Sequence, residues 1–191
     1  MPIKDAGAVP LVALTAWQAL HDIAKVKKGD RVLIHAGAGG VGHVATQLAA
    51  HVGAKVYATA SPRNHDFLSD LGAIPLDYAE GNYGLDLPAF DVVLDTIGGQ
   101  AFNHSLDLVA PEGIIVSVPD PSHLHEAHAR RIQAEWVFVH PDCYQLQEIT
   151  QLIDTANLKI NIDRRYSLDE IAAAHAFGEE GHVRGKLVVP L

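Results

Sequence analysis

The sequence predicts an α/β chain: a doubly wound, parallel, six-stranded sheet followed by a C-terminal helix–strand arm. Three observations carry this. Strand-like and helix-like stretches alternate from residue 31 to about residue 154. The first strand-like stretch, "RVLIHA", is a short apolar run of the kind buried on both faces. A bare stretch, "HAGAGGVG", joins the first strand to a segment of helical period.

In chain order, residues 5–24 read as a helix ahead of the first strand, "RVLIHA" (31–36). Val41, Val44, Ala45, Leu48, Ala49 and Val52 recur at helical spacing, and Gly53 is a stop signal. "KVYATA" (55–60) is the second strand, and a helix from about Pro62 to Leu71 ends at Gly72. "AIPLDY" is the third strand and "DVVLDTI" (91–97) the fourth. "QAFNHSLDLVA" is a helix with Phe102, Leu106 and Val109 on one face. "GIIVSV" (113–118) and "EWVFV" (135–139) are the fifth and sixth strands, and Asp142 starts a helix carrying Leu146, Ile149, Leu152 and Ile153. The end breaks this rhythm. After "KINIDRRY", Ser167 and Glu170 form a capping box for a helix through His175, and "GKLVVPL" closes the chain as a strand.

Gly37, Gly39 and Gly42 satisfy G-x-G-x-x-G in a strand–turn–helix context, the setting that marks a Rossmann dinucleotide site. Gly37 suits the tight turn, Gly39 the close approach of a pyrophosphate, and Gly42 close helix–strand packing. Gly40 is an additional glycine in the loop. The helix N-terminus adds free N–H groups and partial positive charge. An NAD site places a carboxylate about 20 residues on, at the end of the second strand. Here that strand ends "ATASPRN", and no carboxylate occurs before Asp66. Ser61 and Arg63 suit a 2′-phosphate, so NADP(H) is expected over NAD(H).

The composition is compatible with this. The chain has 191 residues, 48% apolar and 19% charged, enough for a sizeable core. A net charge of -9 argues against nucleic acid or an anionic membrane surface as partner. No apolar run reaches the roughly 18 residues of a membrane span. The lone Cys143 excludes an internal disulfide and fits a reducing compartment, so the cytoplasm is expected.

"VKKGDRVLIHAGAGGVGHVATQLA", "LGA", "FDVVLDTIGG", "LVAPEGIIVSV" and "GHVRGKLVVPL" together resemble the medium-chain dehydrogenase/reductases. Within them the chain is similar to the zinc-independent, quinone-oxidoreductase-like branch that includes zeta-crystallin. The resemblance runs from about Ala6 to Leu191. It implies hydride transfer from NADPH to a quinone or enone. It places Gly39, Gly40, Val41 and Gly42 in the pyrophosphate loop and Ser61 at the 2′-phosphate. The branch often has a lysine a few residues past that serine, where this sequence has Arg63 and Asn64. The resemblance further implies Tyr78 beside the adenosine ribose, Thr15 near the nicotinamide, and Gly99, Val118 and Phe138 along the cofactor wall. Such proteins carry a GroES-like domain ahead of the segment matching Ala6. The expected division is therefore a connecting helix (1–24), a Rossmann domain (25–157) and an arm (158–191) belonging to that other domain. A chain of this extent is expected to bind cofactor and to lack part of its substrate cleft. Its uncovered arm suggests a homodimer.

Other constellations are weaker. "HLHEAHARR" gathers His123, His125, Glu126 and His128 without a second ligand segment, and one cysteine disfavours a zinc enzyme, so no metal site is expected. Cys143 beside a helix start reads as an idle thiol. No nucleophile elbow is present, and no side chain stands out as a proton donor. Two rival readings remain open: a dinucleotide-binding module without activity, and part of a zinc-dependent alcohol dehydrogenase.

Overall fold

A computed structural model describes residues 2–190; Met1 and Leu191, the outer limits of the expected division, lie outside the described residues. Six parallel strands form one sheet: β1 (Arg31–Ile34), β2 (Lys55–Ala60), β3 (Ala73–Asp77), β4 (Phe90–Asp95), β5 (Val109–Ser117) and β6 (Gln133–Trp136). Their order is β3-β2-β1-β4-β5-β6. The chain winds outward from β1 to one edge, then crosses back to β4 and winds to the other. That reversal opens a crevice past the C-terminal ends of β1 and β4, the place where such sheets bind ligands.

Both faces of the sheet are covered, which is why its central strands can be apolar without alternation. Val32 and Ile34 of β1 pack with Val44 and Leu48 of helix α2 (Gly42–Val52) on one side. Leu33 points to the other side, toward Phe90, Val93 and Phe102. The helices are α1 (Pro10–Trp17), α2 (Gly42–Val52), α3 (His65–Asp70), α4 (Gly99–Ser105), α5 (Leu124–Ala129), α6 (Cys143–Asp154) and α7 (Ile171–Glu179). Asp142 caps α6 by accepting from the amides of Tyr144 and Gln145, at 2.9 and 3.0 Å. Among the described residues no helix is long and apolar enough to cross a membrane.

Several boundaries differ from the sequence reading, the first strand ending at Ile34 and the fourth running from Phe90 to Asp95 among them. The helix expected over 5–24 is a 3-10 turn (Ile3–Ala8), α1 starting at Pro10, and a π-type continuation (Gln18–Ile23). Proline tolerates a first helical position but not an interior one, so Pro10 restarts the helix. The helix expected to reach Ala110 ends at Ser105, because β4 captures the chain early: Phe90 donates to the Leu108 carbonyl and pairs with Val109. The fifth strand therefore starts at Val109 rather than Gly113. The sixth strand is Gln133–Trp136, not 135–139: Val137 makes the last rung, to the Ser117 carbonyl, and Phe138 turns out to 75% exposure.

The arm holds β7 (Ile162–Arg165) and β8 (Lys186–Val188), a separate parallel pair. The capping box of Ser167 and Glu170 is present and leads through a 3-10 turn into α7. Arg165 makes two bonds to the buried Asp5, at 2.9 and 2.8 Å, which tie β7 to the start of the chain and hold the Asp5 carboxyl below its ordinary range. The arm also reaches the glycine loop, where Gly185 donates to the Ala38 carbonyl at 2.8 Å.

Candidate functional site

The loop between β1 and α2 divides the crevice into two cavities of about 580 and 570 Å³, and Ala36 and Gly39 line both. Ten of the twelve residues expected at the site line one or the other. Gly39, Ser61, Arg63 and Tyr78 lie on the first cavity. Thr15, Gly40, Val41, Gly42, Val118 and Phe138 lie, again with Gly39, on the second. Gly37 and Gly99 line neither.

The glycines divide their tasks differently from the sequence reading. The tight turn falls to Ala36, with φ 46°, not to Gly37. A Cβ on Gly37 would stand 2.6 Å from the Ala58 Cβ and 3.1 Å from Leu68, so that glycine lets the loop lie on β2. A Cβ on Gly42 would meet the Ala36 carbonyl, which accords with close helix packing. A Cβ on Gly39 would touch only Ala36, at 3.2 Å and beyond. Gly99 has φ 54° and nothing near its open side; with Gly98 at φ 78° it shapes the start of α4.

The start of α2 suits an anion. Its preceding residue, Val41, supplies no side-chain cap; the amides of His43, Val44 and Ala45 are taken by the Gly39 and Val41 carbonyls, which leaves those of Gly40, Val41 and Gly42 to face a ligand. At the end of β2, Ser61 likewise makes no side-chain cap. Arg63 is exposed and donates to the His182 carbonyl at 3.2 Å. Tyr78, just past β3, is 51% exposed and lines the same cavity.

Several residues of this crevice were not read from the sequence. Thr59 accepts the Ala36 amide at 3.0 Å and so holds the turn. Buried Asp95 accepts from the amides of Ile97 and Gly98, at 3.0 and 2.9 Å, and shapes the loop after β4. Both are polar residues at strand C-termini, a signal available beforehand. Lys186 reaches across from β8, its Nζ 3.3 Å from where a Cβ on Gly40 would lie. His182 and Val183 of the arm line the first cavity. "HVRGK" is a cationic run in an acidic chain, within the "GHVRGKLVVPL" stretch of the family resemblance.

The floor of the first cavity includes His35, Tyr83 and His104. Burial pushes His35 down to about 4, so its ring is neutral. Burial, then the charge of Asp95, pushes Tyr83 up to about 12. His35 Nε2 lies 2.8 Å from Ser105 Oγ, but that hydroxyl donates to the Ala101 carbonyl and is fully buried. It is a packing contact, not an activated nucleophile.

Residues 71–189 match the family model described as zinc-binding dehydrogenase. The chain belongs to that family. The match bears out the resemblance to the medium-chain dehydrogenase/reductases. The chain is 40% identical over 148 residues to polyketide synthase GfsB of Streptomyces halstedii, covering 76% of this chain and 3% of that protein. It is 29% identical over 219 residues to NAD(P)H oxidoreductase RTN4IP1, mitochondrial, of Danio rerio, covering 98% of this chain and 57% of that one. The quinone oxidoreductase from Coxiella burnetii superposes with a TM-score of 0.93 at 40% identity, over 97% of this chain and 60% of its own. CurK enoyl reductase gives a TM-score of 0.90 at 29% identity, over 100% of this chain and 63% of its own. Mycobacterial Rv1454c complexed with NADPH gives 0.84 at 25%, over 100% of this chain and 65% of its own. This zinc-binding dehydrogenase relative thus spans about 60% of those structures' chains. Among its described residues no three His, Cys, Asp or Glu side chains gather where they could hold a metal ion, so the residues present do not fit the zinc of the family description.

Proposed function

We propose that the chain is the NADP(H)-binding part of an oxidoreductase that reduces a quinone or an enone-type carbonyl. One observation carries the cofactor reading: Ser61 and Arg63 line the same cavity as Gly39, at the strand end where an NAD site would carry a carboxylate. The quinone oxidoreductase, the enoyl reductase and the NADPH complex among its structural neighbours support it. Bound NADPH would supply the hydride from C4 of its nicotinamide.

The chain's residues then bind and orient. The α2 N-terminus and the ammonium of Lys186 face the pyrophosphate, with Gly39 leaving it room. Arg63 and Ser61 take the 2′-phosphate, and Tyr78 lies against the ribose. Thr15, Val118 and Phe138 wall the second cavity, where the nicotinamide and substrate meet. The division into residues 1–24, 25–157 and 158–191 belongs to the same proposal. Fluorescence titration of the chain tests it: NADPH binds more tightly than NADH, and equal affinities overturn the reading.

A further inference from the structure

Helix α2 faces the arm with two side chains one turn apart. Gln47 donates from Nε2 to the Lys159 carbonyl at 2.9 Å, and its Oε1 accepts the Lys159 N–H at 2.8 Å. His43 engages the next residue but one: its Nε2 accepts the Asn161 N–H at 3.2 Å, while its Nδ1 lies 2.8 Å from the Gly39 carbonyl. The spacings agree. Residues i and i+4 stand about 6 Å apart on a helix face, and alternate residues of an extended segment about 6.6 Å apart.

Asn161 passes the connection on. Its carbonyl accepts the Lys186 N–H at 2.9 Å, and its side chain donates to the Arg184 carbonyl at 2.6 Å. Gly185 then donates to Ala38. The chain of bonds leaves the glycine loop at Gly39 and returns to it at Ala38, with the Lys186 ammonium beside Gly40.

Both imidazole nitrogens of His43 are committed. The Gly39 carbonyl only accepts, so Nδ1 carries hydrogen; the Asn161 amide only donates, so Nε2 is bare. We propose that His43, as the neutral Nδ1–H tautomer, is a positioning residue that clasps the arm to the glycine loop and so holds Lys186 over the pyrophosphate site. The inference rests on the dinucleotide reading of the cleft.

A proton on Nε2 would set a donor against a donor and release Asn161. Lys186 of β8 is the charged side chain acting on the ring. Lys159 is exposed, the Asp163 carboxylate is bonded to the Arg184 amide, and the loop 36–41 carries no charged side chain. Burial holds His43 below its ordinary 6.5; the Gly39 and Gly40 carbonyls oppose this without reversing it, and the Lys186 charge adds to it. The clasped form therefore binds fewer protons than the open form. The clasp is fully favoured above about pH 6.5 and weakens as pH falls below it.

Amide hydrogen exchange on the whole chain tests this, with H43Q, whose carbonyl reaches the place of Nε2, and H43N, which is too short. In the wild type, Asn161 and Gly185 are protected at about pH 7.5 and lose about tenfold of that protection at about pH 5.5, after correction for intrinsic exchange. H43Q stays protected at both pH values, and H43N at neither. Affinity for ADP-ribose, which has the pyrophosphate but no 2′-phosphate titrating in this range, follows the same order. Long-range ¹H–¹⁵N spectra show the Nδ1–H tautomer. Wild-type protection that is flat with pH, full protection in H43N, or a wild-type-like acid loss in H43Q overturns the clasp. If no variant binds any dinucleotide at either pH, the cleft reading falls, and the exchange pattern alone still decides the clasp.

Discussion

A Cβ on Gly42 would stand in the Ala36 carbonyl oxygen, whereas one on Gly39 would sit 3.2 Å from the same atom with nothing else nearer than 3.9 Å. The two glycines therefore fail differently. Gly39→Val should fold and lose NADPH binding, because its side chain has only the cleft to occupy. Gly42→Ala should destabilise the chain by about 1–3 kcal/mol, as overpacking does. Urea denaturation and NADPH titration of both variants check this, and normal cofactor binding by Gly39→Val would show the loop to be only a turn.

Arg63 and Lys186 should separate the two phosphate sites. Arg63→Ala removes a charge-assisted bond to the 2′-phosphate and weakens NADPH by about 1.5–3 kcal/mol, leaving NADH nearly unchanged. Lys186→Gln removes a cation from the pyrophosphate, which both cofactors share, so both should weaken by the same factor. Because Arg63 also bonds the His182 carbonyl, its variant needs a melting curve as a control. A Lys186 variant that discriminates between NADPH and NADH would misplace that ammonium.

What could be read in advance follows from how far each signal travels along the chain. The glycine loop, the Asp142 cap and the Ser167–Glu170 box are contained within a few residues, and each is where its pattern puts it. The start of β5 is not legible locally because it is set by pairing with β4 nearly 20 residues away, against a local helical pattern. Lys186, His43 and Gln47 escaped because their meaning lies in partners more than a hundred residues distant. "GKLVVPL" reads as a strand, and nothing local to it says that its lysine will lie on a loop near residue 40.

Thr46 offers a test of the core under the loop. Its Oγ1 is buried without a hydrogen-bond partner among the described residues, 3.5 Å from where a Cβ on Gly37 would lie. An unpaired buried hydroxyl costs about 1–3 kcal/mol, and valine fills the same volume without it. Thr46→Val should thus raise the unfolding free energy by about 1 kcal/mol, seen as a higher urea midpoint at unchanged slope. A loss of stability would mean that the hydroxyl has a partner, a buried water being the obvious one.

The arm carries the last expectation, a homodimer. In sequence, "GKLVVPL" is a strand open to pairing across an interface; in the structure β8 pairs with β7, and Gly185 holds the arm on the glycine loop. Pairing through β8 thus meets a strand already engaged on one side. The apolar part of the argument remains: Leu168, in the 3-10 turn ahead of α7, is 64% exposed, and Ile171, the first residue of α7, 41%. Such a patch favours self-association when it is contiguous with an open strand edge, and β7–β8 has only two strands. We expect the chain to sediment as a dimer, and Leu168→Glu with Ile171→Glu to make it a monomer with unchanged NADPH affinity. Neither residue lines a cavity of the crevice, so cofactor binding serves as the folding control. A monomeric wild type at micromolar concentration would mean that folding the arm back onto the loop has already satisfied it.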